Sequence, residues 1–161
     1  MYICLLIWIF RKTAFRRIGM IFLSDYSLMS GAAAFLDTSG MHYVLPLLTL
    51  HSYLWHVCIV VIGVYSGIAA GRRSLREYTA PALVFLIGCG IAEIINLSCD
   101  RFGVVDMFYI NPHYYINQIV FSSLRGILPN NVLIVLYIIA AMLGALLVHA
   151  GWMMLYNRKK L

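Results

Sequence analysis

The sequence predicts an all-α fold, a polytopic transmembrane helix bundle with four full spans, and three observations predict it. Hydrophobic residues fill 63% of the 161 positions and charged residues only 11%. The apolar residues gather into four runs, about 18–36, 43–70, 80–99 and 132–156, each near or above the roughly 20 residues that cross a hydrocarbon core as a helix. All twelve Lys and Arg residues lie outside the cores of these runs, as expected for side chains whose burial at mid-membrane is costly.

Taken in order, Met1 to Phe10 is a short apolar N-terminal segment that covers about half the distance a span needs. Its basic neighbours Arg11, Lys12, Arg16 and Arg17 follow it, the reverse of a signal peptide. It reads as an interfacial segment or, preferably, as the end of a helix whose upstream part is missing. The first span, Ile18 to Leu36, is joined to the second by Asp37 to His42, which has no Lys or Arg. The second, Tyr43 to Ala70, ends in Gly63, Gly67 and Gly71, spaced every fourth residue, a ridge that lets helix backbones approach closely in lipid. Arg72, Arg73 and Arg76 follow, then the third span, Ala80 to Cys99.

The segment Asp100 to Asn131 is too apolar for a free loop, and Asn111, Pro112 and Pro129 interrupt it too often for a span. It reads as a re-entrant or interfacial outer loop, with Phe108, Tyr109, Tyr114, Tyr115 and Phe121 suited to the headgroup region. The last span, Val132 to Tyr156, is followed by Arg158, Lys159 and Lys160. Basic loops thus alternate with loops poor in Lys and Arg. The expectation is a multi-pass protein of the cell membrane with its C-terminus cytoplasmic and the 37–42 and 100–131 connections outside. The net charge of +6 is accounted for by topology and by contact with anionic membrane lipid, not by nucleic acid.

No linker, low-complexity tract or repeat divides the chain, so residues 1–161 read as a single transmembrane domain. Cys4, Cys58, Cys89 and Cys99 lack metal-type spacing, and His51 and His56 stand about 140° apart around a helix. No metal and no cofactor are expected.

Polar groups inside the apolar runs are the strongest site signal, because each must find a partner or a wet pocket. Counting 1.5 Å per residue, His51 lies roughly 10 Å and His56 roughly 18 Å below the outer surface, with Glu93 at roughly 9 Å and Cys89 at roughly 15 Å. Cys89, Glu93 and Asn96, at i, i+4 and i+7, share one helix face. The candidate site therefore comprises His51, His56, Glu93 and Cys89 as catalytic residues, with Asn96, Asn111 and His113 as substrate-binding residues. An imidazole oriented by a carboxylate would act as general base and a thiol as acyl carrier. The alternative is that the same groups are interhelical hydrogen bonds. Asp25 is expected to pair with Arg16 or Arg17 or to snorkel, and His149 to sit apart near the inner interface.

The runs LHSYLWHVCIVVIGVYSGI, RRSLREY, EIINL and DMFYINPHYYINQIVFSSL resemble the YwaF-type integral membrane proteins of bacteria, over about Met41 to Leu155. The most specific parts are His51, His56, Asn96 and Met107 to Pro112. Eukaryotic relatives of that family are phospholipid acyltransferases working through a cysteine and a histidine, so the resemblance implies an acyl-lipid substrate and transfers His51 or His56. The nucleophile does not transfer, because Cys58 and Cys89 are not at the family's cysteine motif. Two functions follow as expectations: a lipid acyltransferase or hydrolase, and a non-catalytic lipid-binding or small transporter-like protein.

Orientation has a direct test. Reporter fusions within 111–113 are expected on the side of the membrane opposite to a reporter at the C-terminus.

Overall fold

The computed structural model describes residues 2–158, so Met1 and Lys159 and Lys160 of the basic tail lie outside the described residues. Among the described residues the fold is all-helical, with no strand beyond an isolated bridge between Arg125 and Leu128. Four helical stretches are long and apolar enough to cross a membrane: Ala14–Leu36, Pro46–Ala70, Leu75–Phe102 and Asn130–Tyr156. The first starts earlier than expected because Arg16 and Arg17 are drawn into the helix.

The chain forms two compact units, Met1–Ala82 with Leu143–Leu161, and Leu83–Met142. The first unit begins with α1 (Tyr2–Ile9) and α2 (Ala14–Phe22). A π-helical turn, Leu23–Ser27, then runs directly into α3 (Leu28–Leu36). Such a turn adds a residue to the helical repeat and rotates everything that follows it. Here Leu23, Ser24, Asp25 and Tyr26 are all buried, and Ser27 is half-buried.

Helix α4 (Pro46–Ala70) starts with proline in its first turn, where no helix hydrogen bond is lost. It ends at Gly71, whose φ of +64° glycine adopts without penalty. Two of the three ridge glycines, Gly63 and Gly67, do what the spacing predicts, while a Cβ at Gly71 would meet nothing within 4 Å. A Cβ at Gly63 would lie 2.8 Å from Leu28, and one at Gly67 would overlap the Trp152 ring. Two arginines then donate to carbonyls at and just beyond the C-terminal end of α4, where helix carbonyls run out of backbone partners; the Gly67 carbonyl also accepts from the Gly71 N–H. Arg17 donates to Ala70 and Arg72 at 3.1 and 2.7 Å, and Arg73 donates to Gly67 at 3.1 Å. Ser74 and Glu77 form a capping box on the next turn, and Glu77 also pairs with Arg17.

The second unit contains most of α5 (Thr79–Cys99), the short α6 (Ile119–Ser122) and the first half of α7 (Asn130–Arg158). Its apolar centre is Cys89, Ala92 and Ile110, packed against Phe85, Ile134, Tyr137 and Ile138. The irregular stretch between α5 and α7 is held by side chains that bond to backbone. Asn130 donates to Pro112 and Tyr114 and accepts from Ile116, while Arg125 donates to the carbonyl of Ile116 at 2.6 Å. These bonds replace the ladder that regular structure would have provided.

Gly67→Val, which forces a side chain into the Trp152 ring, is expected to destabilise the chain by about 1–3 kcal/mol. Gly40→Val, where a Cβ meets nothing within 4 Å, is expected to leave thermal unfolding in detergent nearly unchanged.

Candidate functional site

His51 and His56 both line one groove on α4, with a volume of about 400 Å³ and walls of Tyr43, Leu48, His51, Ser52, Trp55 and His56. The chain reaches it through an extended Leu45, and the Thr49 hydroxyl, which accepts from the Tyr43 N–H at 2.9 Å, holds Tyr43 in place. His51 is exposed and stacks on Trp55 with ring planes 16° apart. His56 is half-buried and edge-on to Phe35. Its Nδ1 lies 2.8 Å from the Ser52 carbonyl. A carbonyl only accepts, so Nδ1 carries a proton, and in the neutral ring Nε2 presents a lone pair. The groove thus combines apolar and aromatic walls with a basic nitrogen.

The other five expected residues lie in the second unit. Cys89 is in its apolar centre, packed beside Ala92 and Ile110. Glu93 is exposed one turn further along α5. Asn96 is fully buried and makes two bonds to Met107, accepting from its N–H at 2.7 Å and donating to its carbonyl at 3.1 Å. Asn111 is equally buried, donates to the Val105 carbonyl at 2.6 Å, and accepts from the His113 N–H at 3.0 Å. Between the two amides, Phe108 and Tyr109 have φ of +62° and +59°, a conformation that side-chain-bearing residues rarely adopt. The MFYINP stretch is thus a clamped turn. It displays His113, whose Nδ1 lies 2.8 Å from Asp100, while the Tyr114 hydroxyl donates to the other carboxylate oxygen at 2.7 Å. That bond to Asp100 raises the Tyr114 phenol above its ordinary pKa.

The most elaborate polar site is elsewhere, and it corrects the expectation for Asp25. Asp25 does not pair with Arg16 or Arg17. It lies fully buried, with Arg73 Nη1 at 3.0 Å from one oxygen and His149 Nδ1 at 2.7 Å from the other. Arg17 is engaged by Glu77 instead. The physical reason is distance: Arg16 and Arg17 lie about 12–14 Å back along the helix, whereas Arg73 and His149 come from segments packed against the buried turn. Ser24 joins through Arg73 Nη1, 2.7 Å from its hydroxyl. His149, expected to sit apart, is fully buried and also contacts the Ser74 carbonyl through Nε2 at 3.1 Å. Arg73 stacks over Trp152, whose buried indole N–H has no acceptor among the described residues. Burial pulls the Arg73 guanidinium below its ordinary pKa, and Asp25 pushes back upward.

Comparison with protein families, with curated proteins and with solved structures finds no match to this chain. Function therefore has to be argued from these side chains. The signal for the Asp25 cluster was present in the sequence as an acid and an imidazole inside apolar runs. Only their partners were hidden. Among the described residues no group of three or more His, Cys, Asp and Glu side chains is placed to hold a metal ion.

Asn96→Ala is expected to cost about 1–3 kcal/mol by stranding both Met107 backbone groups. Hydrogen exchange across 104–113 should accelerate selectively, with the amides of α4 unchanged.

Proposed function

We propose that this multi-pass membrane protein binds a membrane lipid, non-catalytically, in the groove of α4. The observation that carries the reading is the groove's composition. Leu48, Trp55 and Tyr43 offer acyl-chain surface, while His51 and Ser52 offer polar contacts of the kind a phosphate or ester oxygen accepts. In this reading the basic loops face the cytoplasm, the groove opens in the outer half of the bilayer, and residues 100–129 form an interfacial cap. The exposed Phe102, Phe108, Tyr109 and Tyr115 support that cap, since such rings suit the headgroup level.

A second reading, acyl transfer or ester hydrolysis, rests on His56. Its Nδ1 is occupied by Ser52, so Nε2 is free to take a proton from an attacking hydroxyl. The YwaF-type resemblance belongs with this proposal, as does Asp100 orienting His113. A nucleophile is its missing part.

One experiment separates the two. Cells carrying the wild-type protein, Trp55→Ala and His56→Ala are compared for capture of a photoactivatable phospholipid and for whole-cell acyl-chain profiles. Lipid binding predicts a several-fold loss of capture in Trp55→Ala with unchanged acyl profiles in both variants. Acyl transfer predicts a shifted acyl profile in His56→Ala at normal protein level. Capture mapped away from α4, with no profile change, overturns both.

A further inference from the structure

The buried cluster of Asp25, Arg73 and His149 takes no part in the lipid-binding reading, and its protons can be counted from its contacts. The Ser74 carbonyl only accepts, so Nε2 of His149 carries a proton. A second proton must lie between Nδ1 and Asp25 Oδ2, which are 2.7 Å apart, whether it rests on nitrogen or on oxygen. Either way Asp25 and His149 are together neutral, and Arg73 leaves the cluster with a net positive charge. The groups facing it do not cancel that charge. Arg17 and Glu77 are paired with each other. Tyr78 meets His149 edge-on at 5.6 Å, its hydroxyl is 3.0 Å from that of Tyr26, and Tyr156 stacks on Trp152.

We infer that this cluster is an intramembrane proton-binding site whose occupancy controls the docking of the 74–78 turn. When the proton on Nε2 leaves for bulk water, the imidazole is neutral and still donates from Nδ1 to Asp25. One carboxylate then balances one guanidinium, and a buried cluster without net charge is favoured where solvation is poor. The same loss points the Nε2 lone pair at the Ser74 carbonyl. Two acceptors repel, so Ser74 releases. Ser74 caps the turn that carries Glu77, Glu77 holds Arg17, and Arg17 caps α4 at Ala70 and Arg72. Proton binding therefore docks this turn and proton loss loosens it, while Arg73 keeps its bonds to Asp25, Ser24 and Gly67.

Two further features agree with this role. The Asp25 carboxylate sits on a π-helical turn, a distortion that concentrates at functional sites. Ionisable side chains within membrane spans commonly mark proton and ion paths.

The test uses the full chain in lipid nanodiscs with nitrogen-labelled histidine, read by NMR from about pH 5 to about pH 9. His149 is assigned by comparison with His149→Gln. A spin label on Leu75→Cys, with Cys4, Cys58, Cys89 and Cys99 replaced by alanine, reports the turn. The expected result is loss of the Nε2-bound proton signal of His149 as pH rises, with a parallel gain in label mobility that is absent in His149→Gln. An Nε2 that keeps its proton throughout, or a label that ignores the change, overturns the inference. Should His149→Gln fail to fold, a chain with His42, His51, His56 and His113 replaced by glutamine leaves His149 as the one labelled ring, and its signals with the Leu75→Cys label decide it.

Discussion

A carboxylate sealed inside the helical protein needs compensation, and the way Asp25 obtains it organises the first unit. Removing one member of a buried ion pair generally costs about 3–5 kcal/mol, because the remaining charge is left without solvent or partner. Asp25 stands on the first span, Arg73 on the loop after the second and His149 on the last. Its compensation therefore ties together segments far apart in the chain. Arg73 adds a further tie by donating to Gly67, the glycine against which Trp152 packs. The small-residue ridge and the ionic cluster are thus one construction. Glycine admits the indole, and the indole covers the guanidinium.

The second unit solves a comparable problem with amides. Asn96, Asn111 and Asn130 each bond to backbone groups of a stretch that has little regular structure. Neutral amides can donate and accept at once, so they satisfy an irregular backbone without placing a charge there. The two left-handed residues, Phe108 and Tyr109, persist because buried amides hold the chain on both sides of them.

Three imidazoles show how the same side chain is given different chemistry. His56 bonds a carbonyl through Nδ1 and keeps a bare Nε2. His113 faces Asp100 through Nδ1 and is exposed at its other edge. His149 is flanked by acceptors on both sides. The first arrangement suits a base or a ligand contact, the second an oriented surface base, and the third a bound proton. None of this difference lies in the histidines themselves. It comes from what each Nδ1 and Nε2 meets.

The sequence by itself determined the spans, because crossing a bilayer is a property of about 20 consecutive residues and can be read locally. The close-packing glycines Gly63 and Gly67 were legible for the same reason, whereas Pro46 at the start of α4 and the Ser74–Glu77 box emerged only with the structure. Asp25 was legible as an anomaly but not in its partnership. Arg16 and Arg17 are near it in sequence, yet eight or nine residues of helix put them about 12–14 Å away along the axis. Only the tertiary structure decided that the π turn would bury Asp25 between Arg73 and His149, that Asn96 would clamp Met107, and that Asp100 would orient His113. Those pairings depend on long-range proximity and on one extra residue in a helical turn. Neither has a local signature, since hydropathy records which side chains avoid water and not which of them will meet.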